Sequence, residues 1–161
     1  VPSNKDRFLR KETLQGFVHD EASAFFGGLA GNAGLFSTAR DVARVYQMLL
    51  NGGEIDGQRY LSKETCQLFT TETSKISRRG LGFDKPDADD PKKGNCAPAA
   101  PAEVYGHTGF TGTCAWVDPV NELVYVFLSN RIYPDVTNRK LNQLHIRERI
   151  QGAIYDAMKK K

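Results

Sequence analysis

The sequence predicts an α+β domain, on three observations. Segments of β character sit together between Tyr105 and Ser129, while runs with helical periodicity lie outside them, at 38–50, 62–69 and from 142 onward. Grouped strands flanked by segregated helices pack as an antiparallel sheet covered by helices, not as alternating βα units. The length of 161 residues, with 40% hydrophobic and 25% charged side chains, suits one globular domain and excludes a disordered or collagen-like chain.

Residues 1–26 are weakly periodic and carry no clear element signal. A glycine-dense stretch follows, with Gly27, Gly28, Gly31 and Gly34 close together, where backbone freedom matters more than side-chain packing. Thr38 with Asp41 three residues on reads as a helix N-cap, and Val42, Val45, Tyr46, Leu49 and Leu50 then recur at helical spacing until Asn51, Gly52 and Gly53 end the run. Ser62 caps a second helix through Phe69, and Gly80–Phe83 reads as a short strand. Residues 84–103 hold four of the seven prolines and few large apolar side chains, which predicts a flexible, dispensable surface loop open to proteolysis near Lys92 and Lys93.

The predicted sheet is built from Tyr105–Val117 and Leu123–Asn130, joined by a turn of about five residues as a hairpin. LVYVFL, residues 123–128, has the unbroken apolar pattern of a strand covered on both faces. A last helix is expected from about Asn142, with Leu144, Ile150, Ile154 and Met158 on its buried face. Gly152 inside it predicts close approach of a neighbouring element.

A formal charge of +3, with only Lys159–Lys161 locally basic, is too small and dispersed for a nucleic-acid surface. No run reaches the ~18 apolar residues of a membrane helix, so a soluble chain without a membrane span is expected. Cys66, Cys96 and Cys114 are odd in number and show no metal-ligand spacing, and His19, His107 and His145 are scattered, so neither a metal nor a disulfide framework is expected. The glycine stretch lacks both G-x-G-x-x-G and a following Gly-Lys-Ser/Thr, which argues against a phosphate loop. His19 and Asp20 are expected to bond the glycine stretch or a strand edge. His107, Thr108 and Gly109 lie on the strand of strongest β character between Gly106 and Gly112, where another backbone or a ligand can approach closely. From the residues alone, His107 is either a substrate wall or a strand-end histidine.

The runs GGLAGNAGLFSTARDVARVYQMLLNGG, LSKET, RGLGF, GHTGFTGTCAWVDP and VFLSNR, in this order from Gly16 to Ala157, carry a family resemblance. Together they resemble the serine β-lactamase, penicillin-binding protein and esterase superfamily, closest to the class C-like β-lactamase-related hydrolases, including those attached to bacterial family 3 glycoside hydrolases. The match fails only in the proline-rich loop. Such enzymes combine Ser-x-x-Lys, Tyr-x-Asn or Ser-x-Asn, and Lys-Thr-Gly or His-Thr-Gly. Only the third is present, at His107, Thr108 and Gly109, and no serine is followed by lysine three residues later.

The resemblance implies a partial β-lactamase/transpeptidase-like fold, the C-terminal part of a larger serine hydrolase domain, with residues 1–161 as one unit. It implies a substrate-wall half of a bacterial serine acyl hydrolase acting on β-lactam, peptide or ester through an acyl-serine. In that reading His107, Thr108 and Gly109 face the substrate and the Phe110 N–H is one oxyanion-hole donor. No cofactor and no metal are implied, and the expected partners are a small-molecule or peptide substrate and the N-terminal half of the domain. The family is commonly periplasmic or cell-surface, which sets the expected location. Without its family neighbours, residues 123–128 would form an open edge, predicting self-association there or repacking of residues 1–26 over it. The alternative is a non-catalytic binding or interaction module of the same architecture.

Overall fold

The computed structural model of the chain describes residues 3–71, 74, 76–87, 89, 90 and 94–159. At its centre is a three-stranded antiparallel meander, β5 (Tyr105–Thr108), β6 (Cys114–Asp118) and β7 (Leu123–Phe127), in the order β5-β6-β7. The sequence predicts Tyr105–Val117 as one strand. The structure corrects this: a tight turn at 109–113 splits it, closed by Gly109 N–H donating to Thr113 O at 2.8 Å and Gly112 N–H to Gly109 O at 3.0 Å. Gly112 has φ +109°, a region that favours glycine. The second turn is as expected. Asp118 accepts from the Val120 and Asn121 N–H groups at 2.9 and 3.0 Å and steers the chain into β7.

β6 is the strand buried along its whole length, whereas β7 is half-buried except at Tyr125. The doubly covered strand is therefore β6, not residues 123–128 as the sequence predicts; its central place in the sheet decides burial. Among the described residues, β7 has no strand partner on its outer side. Residues 4–14 add no strand to it. They pair with each other as β1 (Asn4–Lys5) and β2 (Thr13–Leu14), followed by a short helix α1 (Glu21–Phe25).

Two helices cover the sheet. Thr38 caps α2 (Ala39–Leu50) as expected, its Oγ1 accepting from Asp41 N–H at 3.2 Å, and the helix lies against β6 and β7. Phe83 joins the two layers, packed edge-on to Tyr46 of α2 at 6.2 Å and to Tyr105 of β5 at 5.3 Å. Ser62 likewise caps α3 (Lys63–Thr70). Between them a hairpin of β3 (Glu54–Ile55) and β4 (Gln58–Arg59) turns through Asp56 and Gly57, both at positive φ. Its Asp-Gly pair is a readable turn signal.

The C-terminal segment departs most from expectation. It forms α4 (Lys140–Gln143) and α5 (Ile146–Met158), interrupted at His145, which takes a left-handed conformation. Leu144, Ile150 and Met158 are exposed; the buried stripe is Arg147, Gln151 and Tyr155, with Ile154 beside the core. Polar partners inside the protein explain this. Tyr155 Oη donates to Asp118 Oδ2 at 2.8 Å, Ala97 N–H donates to Gln151 Oε1 at 2.8 Å, and Tyr125 Oη donates to Arg147 O at 3.1 Å. A Cβ on Gly152 would meet Ala97 Cβ at 4.0 Å, an ordinary contact, so the helix packing does not require glycine there. The core between α5 and the sheet is Cys96, Val104, Cys114, Trp116 and Tyr125.

Residues 84–103 are docked at both ends, which corrects the expectation of a loop without anchors. The Asp84 backbone bridges Gly106 through bonds of 2.7 and 3.0 Å, and the Lys85 ammonium donates to Thr70 O and Glu103 O. Cys96 and Ala97 are buried, so small and polar side chains supply the anchors that large apolar ones do not. Lys92 and Lys93, the predicted cleavage points, lie outside the described residues. Gly80–Phe83, predicted as a strand, is a tight turn in which Gly80 N–H donates to Phe83 O at 3.1 Å. Only Asp84, after it, bridges to β5.

The Asp84 carboxylate is 1% exposed. Burial pushes its pKa up, but Arg78, bound through Nε at 2.8 Å and Nη2 at 3.1 Å, and Asn95 Nδ2 at 2.8 Å outweigh burial and hold the pKa below the usual carboxylate value. With a folded pKa below the unfolded ~3.9, its stabilisation is full above that value and is lost as pH falls through the folded pKa. Acid titration followed by circular dichroism should therefore show the wild type losing stability below about pH 4, with Asp84→Asn less stable at neutral pH and flatter over the acid range.

Candidate active site

His107 and Thr108 end β5 opposite Ala115 and Cys114, and Gly109 opens the turn beyond them. Gly106 makes this arrangement: a Cβ there would lie 2.1 Å from Ala115 O and 2.7 Å from the Trp116 ring. β5 thus sits close against β6 on one side and is bridged by Asp84 on the other, leaving the His107 side chain exposed. His107 Nε2 lies 3.0 Å from Arg79 Nη1, and Nδ1 lies 2.7 Å from Thr108 O.

Beyond Gly109, Phe110 is 58% exposed. Among the described residues its backbone N–H has no partner. Its ring stacks on His19 at 5.4 Å, the planes 6° apart, and the Arg131 guanidinium carbon lies 4.6 Å from its centroid. The turn is held from behind by Arg131 N–H donating to Thr111 O at 2.8 Å and by Ser129 Oγ donating to Gly112 O at 2.9 Å. His19 is placed by Arg10, whose guanidinium donates to Val18 O and His19 O while its Nε binds Asp6. Burial lowers the His19 pKa; Asp20 opposes this, and Arg10 and Arg131 add to it.

His107, Thr108, Gly109 and Phe110 therefore share one strand end, as their contiguity requires. The structure adds Arg79 and Arg131, which the sequence reading did not select, and brings His19 to the same place. Arg79 stands 28 residues from His107 and carries no local signal. His19 and Asp20 are both expected to bond the glycine stretch or a strand edge. Asp20 has that role, its Oδ1 accepting from Ser23 N–H at 2.8 Å and from Asn32 Nδ2 at 3.2 Å, while His19 packs on Phe110. Within the glycine stretch, a Cβ on Gly34 would fall 2.2 Å from Gly28 O, so this loop closes on its own backbone.

All three cysteines are free and buried. Burial pushes the Cys96 thiol up to about 12 and Cys114 to about 11, and raises Cys66, so none is a thiolate nucleophile at neutral pH. Among the described residues no three His, Cys, Asp or Glu side chains gather as a metal site, and no helix is long and apolar enough to cross a membrane.

The sequence profile of the beta-lactamase family matches residues 3–148, most of the chain. The chain belongs to the beta-lactamase family. Its antiparallel sheet combined with helices is a partial beta-lactamase-like fold. Proteins named "Putative D-alanyl-D-alanine carboxypeptidase" from Escherichia coli K12, Salmonella agona SL483 and Salmonella typhi are each 37% identical to it over 135 residues. The match covers 83% of this chain and 31% of each relative, so the chain spans about a third of the length of these curated relatives. These likenesses place it within the beta-lactamase and penicillin-binding protein superfamily.

Proposed function

We propose that this chain is the substrate-wall part of a bacterial serine acyl hydrolase whose nucleophile and base lie outside these 161 residues. The observation that carries the reading is the His107-Thr108-Gly109 strand end with a Phe110 N–H that has no partner among the described residues, in a beta-lactamase family sequence that has no Ser-x-x-Lys. A nucleophile needs a base within hydrogen-bond reach, and this sequence offers no such family pair. Attack of a serine oxygen on an acyl carbonyl builds negative charge on the carbonyl oxygen, and in this reading Phe110 N–H, on the turn braced by Arg131 and Ser129, receives it. Thr108 and His107 line the approach, and acyl transfer through serine needs no metal and no cofactor. The substrate is a β-lactam, ester or peptide, and the relatives' name favours a peptide ending in D-alanine.

The remainder of the domain is the first partner in this reading. Phe17, Phe25, Phe26, Leu29, Leu35 and Phe36 are 58–85% exposed, more apolar surface than a finished domain leaves in one stretch of chain. The open side of β7 offers the unpaired N–H and C=O groups that a further strand would take. Left unpaired, the same edge takes a second copy, so sedimentation of the isolated chain should show a concentration-dependent dimer. A monomer at high concentration would remove that reading of residues 123–128. A periplasmic or cell-surface location is proposed on the family resemblance alone, and neither nucleic acid nor a membrane span belongs to the proposal.

The direct test joins the chain to the upstream segment that carries Ser-x-x-Lys and follows acylation by mass spectrometry with β-lactams, esters and D-alanyl peptides. In that protein His107→Ala should lower kcat/KM by about tenfold or more, as expected for a hydrogen-bonding group lost from the transition state. Unchanged kinetics would return His107 to a strand-end role, and a protein that binds these ligands without acylation would favour the interaction module.

A further inference from the structure

We propose that Arg79 is a positioning residue for His107: it holds the imidazole as the Nδ1–H tautomer and sets a permanent positive charge beside the His-Thr-Gly segment. The inference rests on the reading of that segment as a substrate wall. A guanidinium only donates, so at 3.0 Å from Arg79 Nη1 the His107 Nε2 must accept. The ring hydrogen then sits on Nδ1 and is donated to Thr108 O at 2.7 Å. Which nitrogen of an imidazole carries hydrogen is set by the partner of the other one. Arg79 and Thr108 together leave His107 one tautomer and one ring orientation.

The reach of Arg79 is built into the backbone. Its neighbour Arg78 clamps Asp84 through two bonds of 2.8 and 3.1 Å, and Asp84 bridges Gly106, one residue before His107. Within that loop a Cβ on Gly80 would fall 2.6 Å from Thr71 O, so the segment after Arg79 lies tight against the end of α3. Residues 78–84 are thereby pinned to β5 at one point and Arg79 is delivered to the next exposed side chain. Among the described residues the remaining Arg79 donors have no hydrogen-bond partner, and its charge also acts on Asp84. In the Lys-Thr-Gly form of this motif the strand residue itself is a cation; here the Arg79 guanidinium beside the imidazole supplies that charge.

Long-range ¹H–¹⁵N correlation spectra of the purified chain, recorded near pH 8 where an ordinary histidine is ~97% neutral, read the tautomer directly. His107 should show Nδ1–H in the wild type. Arg79→Met should reduce the ratio of Nδ1–H to Nε2–H by about tenfold, the loss expected for one hydrogen bond to a charged donor. Arg79→Lys should restore it. Arg79 is exposed, so these variants should keep the wild-type amide spectrum away from the site. An Nε2–H imidazole in the wild type, or an unchanged tautomer in Arg79→Met, would overturn the proposal. This readout needs no turnover, so its failure is distinct from failure of the hydrolase reading, which the His107→Ala kinetics decide.

Discussion

The purified 161-residue chain is expected to turn over neither nitrocefin nor p-nitrophenyl esters above the uncatalysed rate. Removing the nucleophile from a serine hydrolase lowers kcat by about 10⁶-fold, because its base and oxyanion hole then have nothing to activate. On the proposed reading, His107, Thr108 and the Phe110 N–H stabilise a developing charge that a serine outside these 161 residues creates. Mixing the chain with the complementary segment, or joining the two, should raise the rate by several orders of magnitude and make it sensitive to active-site serine reagents. Steady turnover by the chain alone, abolished by such a reagent, would show that one of its own serines is the nucleophile and would overturn the division of labour proposed here.

Gly106→Ala is expected to be the most damaging single-methyl substitution at the site. The added Cβ would fall 2.1 Å from Ala115 O and 2.8 Å from Trp116 Cα, contacts with the backbone of the fully buried central strand. Neither β6 nor β5 can yield freely, since Asp84 bridges the other side of Gly106. Overpacking of this kind costs about 3 kcal/mol. For a domain of this size that corresponds to a fall in Tm of roughly 10 °C. The displacement also carries His107 away from Arg79, so the His107 tautomer should become mixed even where the variant remains folded. A Gly106→Ala protein with wild-type Tm and an unaltered His107 spectrum would show that β5 has more room than the geometry allows.

Local chemistry made much of the fold legible. Thr38 and Ser62 announce their helices because a capping hydroxyl acts on backbone three residues away, and Asp118 announces its turn for the same reason. The His-Thr-Gly motif is legible because its residues are contiguous. The Asp56-Gly57 turn was equally readable, and the positive φ of Gly112 has a sequence signal in the glycine that splits the predicted long strand. By contrast, His145 takes a left-handed conformation that no residue preference announces, and it breaks the predicted final helix.

Amino-acid sequence by itself determined the α+β class, the two capped helices, the β6–β7 hairpin and the motif that places the chain in its family, all of which rest on short-range pattern. Tertiary structure decided which strand is central, which face of α5 is buried and what surrounds His107. Arg147, Gln151 and Tyr155 are polar by type, and only the partners they meet, Thr113 O, Ala97 N–H and Asp118, make their burial favourable. Arg79, His19 and Arg131 reach the strand end from three distant parts of the chain. Arg79 follows from the backbone bridge between Asp84 and Gly106, and His19 from the ion pair between Asp6 and Arg10, bonds whose partners are chosen by the fold.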